Sequence, residues 1–298
     1  MTSSSAQPLA GRLGNVGIWS RRLRGRDPQV AVDHAIELDR LGYRALWVPG
    51  GIGGPLFSDV DALLAATPTM IVATAVLNTW MHDPYDTAAW VARVRSQHPE
   101  RLLLGLGASH RAAVETAGQR FIKPLSAVST YVDRLEGATA PVRREEMLVA
   151  ALGPKMLELA GTRTAGTHTF LVTPDHSAVA RHILGPRSLV IPELKVVLET
   201  RAERAREIAR HHLLPYLRLP NYTNNLVRLG FCAEDFVDGG SDRLIDAIVA
   251  WGPARAVSER VNAHLDAGAD HVCLHVIDDR DANRLRDGWQ ELAQLIAS

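Results

Sequence analysis

Apolar residues along this chain follow two alternating rhythms. Short, nearly continuous apolar runs recur at 15–19, 45–48, 71–77, 102–106, 147–152, 167–172, 188–191 and 270–276. Runs of this length, apolar on both faces, are what strands of a parallel sheet look like when helices cover it. Between them the apolar positions recur every three or four residues. One such stretch is capped by Asp27-Pro28, carries Ala31, Ala35, Leu38 and Leu41 on one face and stops at Gly42. Further helices are expected over 59–66, 84–97, 154–160, after Pro174, over 193–211 and over 253–268, and a last one places Leu285, Trp289, Leu292 and Ile296 together. Residues 109–128 read as a long loop before a short helix at 131–135.

Eight strand-then-helix units in 298 residues predict a closed (β/α)8 TIM barrel with insertions. A doubly wound open sheet is the alternative, and the absence of G-x-G-x-x-G after the first strand weighs against its dinucleotide-binding form. Residues 212–252, with a helix at 242–251, read as an insertion between the seventh and eighth units. Residues 1–13 read as a flexible tail and 14–298 as one barrel domain.

Composition narrows the function. The chain carries 33 basic and 33 acidic residues, which argues against a nucleic-acid partner. No apolar run is long enough to span a membrane helically, and MTSSSAQPLAGR lacks the long apolar core expected of a signal peptide. Cys232 and Cys273 lack disulfide or metal spacing, and the histidines form no ligand pattern, so no metal is expected. A cytoplasmic location is expected.

In such a barrel, chemistry sits at the C-terminal strand ends. Two of those ends stand out. RLLLGLGASH (residues 101–110) ends in small residues that let a ring or phosphate approach the backbone, and MLVAALGPKM (147–156) runs through Gly153-Pro154 into a helix start suited to an anion. There is no G-x-S-x-G elbow, no P-loop and no pair of catalytic carboxylates, so the reactive atom is expected on a cofactor.

GNVGIWS, GYRALWVPG, IVATAVLNTWMHDP, RLLLGLGASH, ALGPKMLELAG, LVTPDH and LGPRSLVIPELKVVL occur in an order and spacing that resemble the luciferase-like monooxygenase superfamily, and within it the deazaflavin-dependent oxidoreductases. LPNYTNN with LGF, and DAGADHVCLHV, share that look. The resemblance covers about residues 14–277. It implies coenzyme F420, with flavin mononucleotide (FMN) as the alternative in the same cradle, and a small organic substrate.

It also implies a ring packed against the end of the third strand, near a non-proline cis peptide at 74–78. Gly50, Ala75, Val76, Asn78, Gly107, Ser109, Ala151, Gly153, Pro154, Lys155 and Met156 are the cofactor-binding candidates. His110 is the catalytic candidate, and Trp80, Glu193, Tyr222 and Asn225 are substrate candidates. Relatives often carry an acid or His where the second strand ends; Pro49-Gly50-Gly51-Ile52-Gly53-Gly54 offers neither. A non-catalytic flavin-binding relative is therefore a second reading.

Several candidates have plain structural alternatives. Gly105 and Gly107 would also serve tight packing, Asn78 a helix cap, Trp80 and His82 the core or rim, and Glu193 a helix start. Tyr222, Asn224 and Asn225 would also serve a cap or a subunit contact. The resemblance further implies a homodimer through helices at 59–67 and 84–97.

Overall fold

The computed structural model describes residues 9–25, 27–51, 54–116, 118, 120–121, 123–277 and 282–296. Ten strands build the sheet: β1 (Val16–Trp19), β2 (Ala45–Val48), β3 (Ile71–Thr74), β4 (Leu77–Asn78), β5 (Leu102–Gly107), β6 (Met147–Ala150), β7 (Gly166–Thr169), β8 (Leu189–Val197), β9 (Val249–Trp251) and β10 (Val272–Val276). All pairings are parallel. The order β1-β2-β3-β5-β6-β7-β8-β10 returns to β1 and closes an eight-stranded TIM barrel. β4 continues the line of β3 beside β5, and β9 joins the upper half of β8.

Period-two alternation sets the two faces of the wall. Val72, Leu104, Leu194, Val196 and Leu274 face outward into a core shared with the surrounding helices. Trp47, Ala73, Leu103, Leu148, Ile191 and Cys273 face inward and fill the barrel. Trp47 is fully buried at its centre, stacked on His168 at 5.1 Å and donating its Nε1–H to His271 Nε2 at 3.0 Å.

Several elements differ from expectation. Residues 1–8 of the expected tail lie outside the described residues, but Leu9–Leu13 is a helix, and Leu13 packs with Ile71 and Ala45 in the barrel interior. The single strand at 71–77 is two, β3 and β4, split at the cis Ala75–Val76 peptide. The strand at 167–172 ends at Thr169. The seventh strand does not stop at Ile191; β8 runs nine residues through Pro192 to Val197, and its helix begins at Ala202. Pro192 is tolerated because pairing of β8 with β10 begins one residue later, at Glu193↔Cys273.

The long loop contains helix Arg111–Thr116, and the short helix is the end of Pro124–Glu136, whose Val128, Tyr131, Val132 and Leu135 form one buried face. In the insertion, helix Asp242–Ile248 gives way to β9. The segment from Tyr216 to β9 packs its own apolar cluster, with Leu217, Tyr222, Leu226, Leu244 and Ile245, onto Val197 and Ile277. This cluster roofs one side of the barrel mouth.

Candidate active site

A cavity of about 270 Å³ opens at the C-terminal ends of the strands. Its lining follows from the inward parity of each strand. Trp19 ends β1, Ala75, Val76 and Asn78 form the junction of β3 and β4, and Gly107 ends β5. Ala150 ends β6, and His168 and Phe170 come from the end of β7. Tyr216 and Tyr222 descend from the insertion, and Arg21, Pro49, Gly51, Ser109 and His110 complete the mouth.

Glycines shape the wall at Val76. A Cβ on Gly107 would stand 2.6 Å from Val76 Cγ2, and one on Gly50 would stand 2.6 Å from the Val76 carbonyl oxygen. A Cβ on Gly105 would collide with the Thr74 carbonyl. The packing role of Gly105 and Gly107 is therefore real, and Gly107 lines the cavity besides. The Trp19 indole N–H donates to the Ala75 carbonyl at 3.2 Å and ties β1 to the same junction. Buried Arg24 bridges Asp59 at 2.7 Å and the Pro49 carbonyl at 2.8 Å, which fixes the end of β2.

Two polar side chains of the lining have definite roles. Asn78 Oδ1 accepts the Trp80 backbone N–H at 3.0 Å, so Asn78 holds the turn after β4, while the helix that follows is capped by Asp83 instead. Asn78 Nδ2 is buried and has no hydrogen-bond partner among the described residues, which leaves a donor for a ligand. Ser109, at φ 58°, turns the chain so that His110 meets the insertion. His110 Nδ1 lies 3.1 Å from Asn221 Oδ1, and its Nε2 lies 3.5 Å from the Tyr222 hydroxyl. With Nδ1–H donating to Asn221, Nε2 carries a lone pair. Burial lowers the His110 pKa, against the opposing Asn221 hydrogen bond, so the ring is neutral near pH 7.

Beneath the floor lies a charged group that the sequence pattern hid. Glu193 and Lys195 point into the barrel from β8, and the Lys195 ammonium lies 2.9 and 2.8 Å from the two Glu193 oxygens. His275 Nδ1 donates to Glu193 Oε1 at 2.7 Å. Burial pushes the Glu193 carboxyl up, but Lys195 and His275 outweigh it and hold the carboxyl below its usual range. Burial pulls the Lys195 ammonium down, with Glu193 opposing. The ammonium sits 3.7 Å from the Phe170 ring centroid, and His275 packs 4.0 Å from the Trp19 ring. The group thus supports two aromatic walls of the cavity.

The structure sorts the candidates. Ala75, Val76, Asn78, Gly107, Ser109, His110 and Tyr222 converge on the cavity. Gly50 sits behind the wall while its neighbours Pro49 and Gly51 line it. Ala151 is off by one residue: Ala150 faces in, and Ala151 packs outward on Leu157 and Ala180. Gly153, Pro154 and Lys155 lie outside the cavity at a helix start, and Met156 packs toward Val128 and Val149. Trp80 lies beside Phe121, at 6.3 Å, rather than in the lining. Glu193 is neither a helix start nor a mouth residue, because the strand continues through it. Asn225 is buried and holds Arg228 at 3.1 Å. Arg21 and His275 stand at strand ends, where chemistry was expected, but carried no assigned role; Trp19, His168, Phe170, Tyr216 and Lys195 were not singled out, and the parity of β1, β7 and β8 would have found four of them.

Residues 15–271 match the model of the family described as luciferase-like monooxygenase. Solved structures with a similar fold include an F420-dependent secondary alcohol dehydrogenase in complex with an F420-acetone adduct, 15% identical with a TM-score of 0.74, covering 95% of this chain and 99% of that one. The coenzyme F420 dependent tetrahydromethanopterin reductase from Methanopyrus kandleri is 17% identical with a TM-score of 0.75, covering 95% and 98%. The oxygenating constituent of 3,6-diketocamphane monooxygenase from Pseudomonas putida, in complex with FMN, is 14% identical with a TM-score of 0.71, covering 95% and 98%. At these identities the likeness shows the fold. The family model spans all but the two ends of the chain, and the chain belongs to the luciferase-like monooxygenase family.

Proposed function

We propose that this chain is an oxidoreductase that binds coenzyme F420 in the strand-end cavity and transfers a hydride between it and a small organic substrate. The observation that carries this reading is the cavity wall of small and apolar residues at Ala75, Val76 and Gly107, with the unpartnered Asn78 Nδ2 beside it. A planar heteroaromatic ring fits that wall, and Asn78 Nδ2 would donate to a carbonyl or nitrogen on the ring edge. The bound deazaflavin would supply the hydride acceptor or donor.

The chain's own residues do the rest. Trp19, Phe170, Tyr216 and Tyr222 enclose the substrate and exclude water. His110 Nε2 accepts a proton from a substrate hydroxyl as hydride leaves the adjoining carbon, and in the reverse direction the protonated ring returns that proton to the carbonyl oxygen as hydride arrives. The deazaflavin is preferred on the narrower sequence resemblance. FMN, which the similarly folded diketocamphane enzyme binds, is the second reading for this cavity.

The location is tested by filling it. Gly51 lines the cavity, and nothing among the described residues lies within 4 Å of its would-be Cβ. Gly51→Trp should therefore leave the melting temperature unchanged while weakening binding of both F420 and FMN at least about tenfold. Unchanged affinity would place the cofactor elsewhere.

A further inference from the structure

Four inward positions form one row across neighbouring strands at the cavity. Asn78 on β4 pairs with Gly107 on β5, Leu106 beside it pairs with Val149 on β6, and Ala150 pairs with His168 on β7. That register sets Asn78, Gly107, Ala150 and His168 side by side, and all four line the cavity. The two middle residues are small and leave the row open. Its two ends are polar, and each carries a buried nitrogen without a hydrogen-bond partner among the described residues: Nδ2 of Asn78 and Nε2 of His168.

The two nitrogens are opposite in kind. Asn78 Nδ2 is a donor. His168 Nδ1 lies 3.1 Å from the Ile191 carbonyl oxygen, which only accepts, so Nδ1 carries the proton. Burial lowers the His168 pKa to about 4, so the ring holds no second proton near pH 7. Nε2 is therefore a bare lone pair. The two nitrogens of an imidazole point widely apart, so with Nδ1 turned to the wall at β8, Nε2 points away from that wall. The ring is 3% exposed, stacked on Trp47 at 5.1 Å and held by the Ile191 contact. A buried acceptor left empty is costly, and a pocket built around one rejects ligands that cannot fill it.

We propose that His168 Nε2 is the specificity-determining acceptor of the substrate pocket, and that the substrate is a bifunctional alcohol: one hydroxyl reacts at His110, and a second O–H or N–H donates to His168. The proposal rests on the cofactor reading above, which gives the Asn78 end of the row to the ring. His168 stands at the other end, on the strand that leads into Phe170, one of the rings that enclose the substrate. The second donor is uncharged, because no carboxylate lines the cavity among the described residues to offset a buried cation.

The test compares ligands of equal size that differ by one donor: the positional and cis/trans isomers of cyclohexanediol, each against the methylcyclohexanol of the same substitution. Calorimetric titration is run on the chain alone and on the chain saturated with FMN. At least one diol should bind at least about tenfold more tightly than its methyl counterpart, the weight of filling a buried acceptor. His168→Phe keeps a ring against Trp47 but offers no lone pair. It should abolish that preference while methylcyclohexanol binds as well as before or better. A second readout needs no variant: in wild type carrying isotope-labelled histidine, the His168 Nε2 resonance should shift with the diol and stay with the methyl compound. Three results would overturn the proposal: no diol preferred in either state, a preference intact in His168→Phe, or a diol preferred while the His168 resonance stays still. A resonance that shifts with FMN alone would give the acceptor to the cofactor's imide N–H and overturn the substrate assignment. If neither FMN nor F420 binds, the cofactor reading fails by itself, and titration of the chain alone still decides His168.

Discussion

Lys195 closes a bidentate contact with Glu193, two residues back on the same strand, with both side chains sealed from solvent. Removing one member of a buried ion pair leaves the other charge uncompensated, at a cost of about 3–5 kcal/mol. Lys195→Met should destabilise the chain by that amount in urea unfolding. Glu193→Gln with Lys195→Met should recover most of the loss, since a neutral pair leaves no buried charge. A single variant as stable as the wild type would mean that water or a counter-ion reaches the pair.

Histidines inside the barrel couple stability to pH. His168 and His271 are held at about 4 by burial, from an ordinary value of 6.5. They are neutral in the folded chain between those values, whereas the unfolded chain binds the protons. Stability is therefore fully present above about pH 6.5 and is lost as pH falls toward 4, by up to about 1.4 kcal/mol per pH unit for each group. Urea midpoints measured at pH 7.5, 6 and 5 should fall in that order; a flat series would contradict the neutral assignment.

His110→Ala should lower turnover about 100-fold, the low end of general acid–base contributions, with cofactor affinity nearly unchanged. Because burial lowers the His110 pKa, the rate of a reaction using it as a base should be level at pH 7 and fall only below the ordinary histidine range. Arg111, which pairs with Glu115 on the surface, is the control position, and Arg111→Ala should change neither quantity. Full activity in His110→Ala would reduce His110 to a wall residue, and lost cofactor binding would make its role structural.

Most strands and the closed barrel were legible in the sequence because buried parallel strands read as apolar runs. β8 escaped because Pro192 looked like a stop, and because Glu193 and Lys195 put the polar residues of an alternating strand inside the barrel and the apolar ones outside. That inverts the usual reading of period two. The site was legible where small residues end a strand, at Gly107–His110 and Ala75–Asn78. It was not legible where parity decides, as between Ala150 and Ala151, or where a distant segment contributes, as with Tyr216.

We expect a homodimer that buries parts of helices Leu56–Ala66 and Pro84–Gln97, which already pack together through stacked Phe57 and Trp90. Tyr85, 57% exposed, and Met81, 43% exposed, flank that pair and offer apolar surface to a second copy. Sedimentation at micromolar concentration should give twice the 32.5 kDa chain mass. A monomer throughout would rule this out.

The central claim is the choice of cofactor in the strand-end cavity, and equilibrium titration with oxidised coenzyme F420 and with FMN, side by side, tests it most directly. The account predicts saturable binding of both, tighter for F420, with each weakened by Gly153→Asp, whose carboxylate would stand against the phosphate and beside Arg228. Tighter binding of FMN would contradict the deazaflavin assignment, and binding of neither would contradict the enzyme reading itself.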